Sequence, residues 1–123
     1  MPVLTSPDSV QTVQRYYQLV DSGDVDGLLA LFAPDAVYYR PGYPPLTGHA
    51  DLERFYRGER VIETGQHTLQ KVVADGTGVA TYGEFAGTLK DGRTASLRFA
   101  DFFTVRPGGQ FSRRDTFFYS PMV

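Results

Sequence analysis

The chain contains no cysteine and no tryptophan, and only two histidines. Without cysteine there is no disulfide, no thiol nucleophile and no thiolate metal site. His49 and His67 lie far apart among scattered acids, so no metal-ligand spacing exists and no metal is expected. Acids and bases nearly balance, 14 against 12, for a net charge of −2 without any Lys/Arg block. Nucleic acid and membrane surfaces are therefore not expected as partners. No apolar run approaches spanning length, and the first residues lack a basic start and an apolar stretch, so a cytoplasmic protein is expected. Neither a nucleophile elbow nor a Gly-rich phosphate loop occurs. What is present is one domain's length, residues 1–123, with 8 Tyr and 9 Phe. Such a composition implies apolar walls that carry hydroxyl groups.

Periodicity divides the chain into helices followed by strands. Ser6-Pro7 marks a helix start, and Val10, Val13, Tyr17 and Val20 recur at helical spacing up to the stop at Ser22-Gly23. Asp24 caps a shorter second helix with Val25, Leu28, Leu29 and Phe32 as its stripe, ended by Ala33-Pro34. Ala36 to Arg40 forms a short strand that places Ala36, Tyr38 and Arg40 on one face. A stiff loop over Pro41 to Pro45 leads to a third helix, His49 to Arg60, with Leu52, Phe55 and Tyr56 inward. Beyond residue 61 strands are separated by Asp75-Gly76, Asp91-Gly92 and Pro107-Gly108-Gly109. The expected class is α+β, with three N-terminal helices packed on a curved, mainly antiparallel sheet.

Asp101 carries the chemical interest. In the strand Ser96 to Val105 it shares its face with Leu97, Phe99, Phe103 and Val105, which places a carboxylate in an apolar interior. A two-residue turn at Asp91-Gly92 predicts Tyr82 opposite Asp101 and Glu84 opposite Phe99. A three-residue loop at Pro107 to Gly109 pairs Arg106 with Gln110 and predicts Asp115 opposite Asp101. The two carboxylates would then titrate as a coupled pair, one of them pushed up. Phe102 and Phe118 fall on the outer face, where a homodimer contact is expected.

Val13-Gln14-Arg15-Tyr16, Ser22 to Phe32, Asp35-Ala36-Val37, Gly48 and Leu52 to Tyr56 resemble the first half of bacterial ketosteroid isomerases, and the Asp101 strand continues the similarity. The resemblance extends to the NTF2-like superfamily, with its SnoaL-like polyketide cyclases and limonene-epoxide hydrolases. It implies a conical fold with an apolar internal pocket. It also implies that Tyr16 and a protonated Asp101 form an oxyanion hole supported by Tyr56. Retention of a neutral carboxylic acid in that role is a known property of the isomerases. Their general base would stand at Arg40, and arginine cannot act as one. Asp115 falls where the SnoaL-like cyclases carry an acid/base aspartate. Tyr38 and the loop Pro41 to Gly48 resemble the epoxide hydrolases, but Gly83 and Phe85 replace the Arg/Asp pair that those enzymes need.

The sequence thus predicts a catalytic set of Tyr16, Arg40, Asp101 and Asp115, with Tyr38, Tyr56, Tyr82, Glu84, Phe99, Phe103 and Phe117 around the substrate. His67, alternating with Leu69 and Val73, could touch the pocket, but a lone strand histidine is more often structural. The expected function is cofactor-independent acid–base chemistry, an isomerisation or cyclisation of a small apolar molecule bearing a polar oxygen. The alternatives are a non-catalytic ligand binder or protein adaptor, or an epoxide hydrolase.

Overall fold

The computed structural model describes residues 7–119. Ser6, the expected helix cap, lies outside them. Helix α1 spans Pro7–Ser22 and buries Val13, Tyr16, Tyr17 and Val20, which are spaced three and four apart on one face. Helix α2, Val25–Leu29, is capped by Asp24, whose side chain accepts from the Gly27 N–H at 2.8 Å. It ends earlier than the sequence suggested. Phe32 already belongs to strand β1, Phe32–Tyr39, because the Phe111 N–H donates to the Leu31 carbonyl at 2.8 Å and starts a parallel pairing. Pro34 is accommodated where that ladder shifts register between Phe32 and Val37.

After the short strand β2, Leu46–Thr47, comes helix α3, Gly48–Arg54, which passes into a wider turn over Phe55–Glu59. The Arg60 N–H donates to the Phe55 carbonyl five residues back, at 2.9 Å. This widening, common at functional sites, lets the adjacent Phe55 and Tyr56 both turn inward. Strands β3 (Ile62–Asp75), β4 (Gly78–Leu89), β5 (Thr94–Val105) and β6 (Phe111–Phe118) complete a six-stranded sheet of order β2-β1-β6-β5-β4-β3. Among the described residues only the β1–β6 pair is parallel, so the α+β, mainly antiparallel arrangement read from the sequence is the one observed.

Helix α1 lies against β3 and β4, and α3 against β1. Their apolar stripes meet the inward positions of the strands in one core. The Tyr16 ring packs edge-on against Phe32, Phe103 and Phe111 at centroid distances of 5.7–6.2 Å. Between β3 and β4, Gly83 permits close approach. A Cβ there would stand 2.3 Å from the Thr68 carbonyl oxygen, beside the register shift at Leu69 to Lys71.

Candidate active site

Two turn details decide which side chains meet Asp101. At the β4–β5 hairpin the Leu89 N–H donates to Arg93 O and the Gly92 N–H to Leu89 O, with Gly92 at φ 92°. The loop is therefore three residues long, where the sequence suggested two, and the register moves by one. Thr81 pairs with Asp101 and Gly83 with Phe99, while Tyr82 and Glu84 turn outward to exposed positions. Tyr82 there accepts from Arg98 at 2.6 Å. Both are thus removed from the expected substrate-contacting set.

The β5–β6 hairpin has the expected three-residue loop, with Arg106 paired to Gln110 and Gly109 at φ 94°. A bulge then intervenes. Val105 pairs with Phe111 but Thr104 with Arg113, so Ser112 is the extra residue and every later side chain on β6 changes face. Thr116 stands opposite Asp101, and Asp115 stands opposite Phe102 on the outer face, bound at 2.9 Å by Arg113. The expected Asp101–Asp115 pair does not form. Phe117, expected at the substrate, is 54% exposed and packs edge-on against Phe102, itself 52% exposed, at 5.8 Å. Phe118, expected outside, lines the interior cavity.

The residue brought inward in place of Asp115 is Arg114, only 4% exposed. Its Nη2 donates to Asp101 Oδ2 at 2.9 Å and its Nη1 to the hydroxyls of Tyr16 at 2.5 Å and Tyr56 at 3.1 Å. The guanidinium carbon lies 4.6 Å from the Tyr16 ring centre and 4.5 Å from that of Tyr38. Its Nε is buried without a partner among the described residues.

Asp101, fully buried, also accepts from Tyr17 at Oδ2 and from Thr116 at Oδ1. Burial pushes this carboxyl up, but the Arg114 charge and the Arg114, Thr116 and Tyr17 donors outweigh it and hold it below the ordinary aspartate range. The Arg114 ion pair thus favours the ionised form of Asp101, where the isomerase resemblance implied a protonated acid. Arg114, which burial alone would depress, is raised well above its usual value by the Asp101 charge. Tyr17 is raised by burial and by the same carboxylate.

Donor counting exposes the chemical capacity of the site. Tyr17 donates to Asp101 and so accepts from Thr81 Oγ1 at 2.8 Å; Thr116 donates to Asp101 and so accepts from the Tyr38 hydroxyl at 3.0 Å. Tyr16 and Tyr56 share one bond of 2.5 Å, and both accept from Arg114. Two hydroxyl protons serve that pair and only one is used between them, which leaves one O–H to donate. Burial raises the pKa of both phenols, offset in part by Arg114, so each keeps its proton.

Both tyrosines line a cavity whose walls include Arg40, Phe99, Arg114 and Phe118. The space open to the centres of water-sized molecules is about 30 Å³, enough for roughly two waters. A larger ligand has to displace side chains at the rim. Arg40, predicted from the sequence, lies there with its guanidinium 5.1–5.6 Å from the ring centres of Phe118, Phe55 and Tyr43. Its Nε is buried without a partner, and no carboxylate among the described residues pairs with it. Burial works against its charge, but the neighbouring Tyr38 and Tyr56 hydroxyls keep it raised. Of the expected substrate contacts, Tyr38, Tyr56 and Phe99 face the cavity, while Phe103 lies behind it in the core under Tyr16.

The sequence reading missed Arg114, Thr116, Tyr17 and Thr81. Tyr17 was visible as core, but its bond to Asp101 follows only from how α1 sits on the sheet. His67 lines the same cavity, and Asp21 at the end of α1 grips it twice, Nδ1 to Oδ1 at 2.6 Å and backbone N–H to Oδ2 at 2.8 Å. His49, by contrast, bonds the Phe32 carbonyl through Nε2 at 2.8 Å and belongs to the scaffold. Among the described residues no group of three or more potential ligands could hold a metal, and no helix is long and apolar enough to cross a membrane.

The same fold occurs in known structures. An NTF2-like protein of unknown function from Burkholderia pseudomallei K96243 superimposes with a TM-score of 0.83 at 22% identity over 92% of each chain. SalBIII, an epoxide hydrolase/cyclase-like enzyme with a role in pyran ring formation in the polyether salinomycin, gives 0.80 at 22% identity over 89% of each chain. A candidate polyketide cyclase from Xanthomonas campestris pv. campestris gives 0.75 at 26% identity, covering 89% of this chain and 88% of that one. The NTF2-like fold is therefore the one this sequence adopts, and the model of the SnoaL-like domain matches residues 13–114. On fold and on family match together, the chain belongs to the SnoaL-like domain family.

Proposed function

We propose that the protein is an acid–base enzyme of the isomerase or cyclase kind, acting on a small, largely apolar carbonyl compound through its own side chains. One observation carries this reading: the Tyr16–Tyr56 hydroxyl pair, bonded to the buried Arg114, has an O–H left to donate inside an aromatic cavity. Fixed donors in a water-poor site stabilise an oxygen that gains negative charge as a reaction proceeds. Tyr16, Tyr56 and Arg114 would hold that oxygen. Asp101 would act at one remove, as the counterion that sets the guanidinium in place. Arg40, a cation without a carboxylate at the rim, would orient an anionic or strongly polar substituent. The similarity to SalBIII and to the candidate polyketide cyclase supports a ring-forming reaction within this class.

The test uses 2-naphthol as a stable mimic of an enolate and a panel of cyclic ketones in deuterated water. Wild type should bind the naphthol and exchange ketone α-protons. Tyr56→Phe should weaken naphthol binding about tenfold and slow exchange by roughly 100-fold, the usual scale for one oxyanion donor. A wild type that exchanges no ketone in the panel, with naphthol affinity indifferent to Tyr56→Phe, refutes the proposal. A binding role without turnover is favoured by the three donors already held by Asp101, and it would leave naphthol bound tightly with no exchange.

A further inference from the structure

Acid–base chemistry in this cavity needs a group that can take a proton, and the aspartates do not supply one. Asp115 faces outward against Arg113, and Asp101 already accepts from Arg114, Tyr17 and Thr116. The other titratable residues lining the cavity are Tyr16, Tyr38, Tyr56, Arg40, Arg60, Arg114 and His67. The tyrosines hold protons and are weak bases, and the arginines are cations, so among these residues only the imidazole offers a basic nitrogen lone pair.

Its surroundings define which nitrogen offers it. Asp21 is an acceptor, so Nδ1 of the neutral ring carries the hydrogen of the 2.6 Å contact, and Nε2 is left as the acceptor. The backbone N–H of His67 on the second Asp21 oxygen, at 2.8 Å, fixes the carboxylate relative to the ring. The ring itself is held by Tyr17, Phe85 and Phe99 at centroid distances of 5.1, 4.8 and 5.3 Å. Asp21 lines the neighbouring surface groove and not the cavity, whereas His67 lines both. Among the described residues Nε2 has no hydrogen-bond partner. A carboxylate that orients an imidazole and stabilises the imidazolium it becomes is a recurring arrangement in proton-transferring sites.

We infer that His67 is the general base of this site, with Asp21 as its positioning residue, and that the substrate is a carbonyl compound with an acidic C–H next to the carbonyl. The inference rests on the oxyanion reading above. The C–H bond breaks and its proton passes to Nε2. The electron pair moves through the new C=C bond onto the carbonyl oxygen, which Tyr16, Tyr56 and Arg114 hold. The imidazolium, faced by Asp21, then returns a proton to carbon, so protons and electrons balance without a further reactant.

The experiment measures α-proton exchange of the ketone panel and 2-naphthol affinity on the intact chain. His67→Gln should slow exchange by about 100-fold or more, the scale of a lost general base, while naphthol affinity stays within about threefold. Asp21→Asn should slow exchange roughly tenfold, the lower end for a lost orienting partner, with naphthol affinity equally unchanged. His67→Ala should regain part of the lost rate when free imidazole is added, which loss of a scaffold contact would not allow. Exchange in His67→Gln at the wild-type rate overturns the inference and leaves the oxyanion reading standing. Absence of imidazole rescue in a folded His67→Ala also counts against it. A wild type that binds naphthol but exchanges nothing refutes both.

Discussion

Arg114→Met tests the central electrostatic argument. Methionine keeps much of the apolar length of the side chain and removes the charge, which leaves the fully buried Asp101 carboxylate with Thr116 and Tyr17 alone. Breaking a buried ion pair from one side costs about 3–5 kcal/mol, because the remaining charge stays out of water. With an unfolding entropy near 2.1 cal/mol/K per residue, a loss of about 4 kcal/mol lowers Tm by roughly 15 °C. The pH dependence is the sharper reading. In wild type Asp101 is held below its ordinary value, so its contribution is fully present above about pH 4 and is lost as pH falls through the folded-state value. In Arg114→Met burial remains and the main opposing charge is gone, so the folded-state value moves above the unfolded one. The variant then gains stability as pH falls from 7 toward 4, where wild type gains nothing from this group. Urea unfolding at pH 7, 5.5 and 4 measures both. Arg114→Met/Asp101→Asn should recover at least half of the loss at pH 7. Parallel stability curves for wild type and Arg114→Met across this range would refute the ion-pair account.

Two further outcomes follow from the register. Asp115→Asn should change stability by less than about 0.5 kcal/mol and leave naphthol affinity as in wild type, since the residue lies on the outer face with Arg113. A large loss of affinity in that variant would mean that Asp115 reaches the cavity after all. Gly83→Ala should cost about 1–3 kcal/mol in urea unfolding, because its Cβ would press within 2.3 Å of the Thr68 carbonyl. Unchanged stability there would show that β3 and β4 separate freely at this point.

Much of the architecture is legible in the linear chain. Val13, Tyr17 and Val20 mark the buried face of α1, and the Gly-containing turns mark the strand ends within a residue or two. Asp101 is inward because period-two alternation places it between Phe99 and Phe103, and that holds for any partner strand. Tyr38 and Tyr56 reach the cavity from elements whose apolar spacing already turned them inward, and Tyr16 does so at the position the family resemblance marked. The local rules fail at four places: the end of α2, the widened turn after α3, the hairpin at Asp91-Gly92 and the bulge at Ser112. In the first and third, hydrogen bonds from another segment or from the full turn outweighed the short-range signal.

The sequence alone determines that a carboxylate is buried among aromatic rings, because side-chain alternation within one strand requires no knowledge of its neighbours. What that carboxylate meets was decided by tertiary structure. A single extra residue, Ser112, exchanges the two faces of β6, replacing Asp115 with Arg114 and Thr116 and converting an expected acid pair into an ion pair. Adjacent polar residues on β6 give no sign of the bulge, and a slip of one position reverses every side chain beyond it. The union of Asp21 with His67 is likewise a product of where α1 rests on β3, a contact between residues 46 positions apart that no local pattern encodes.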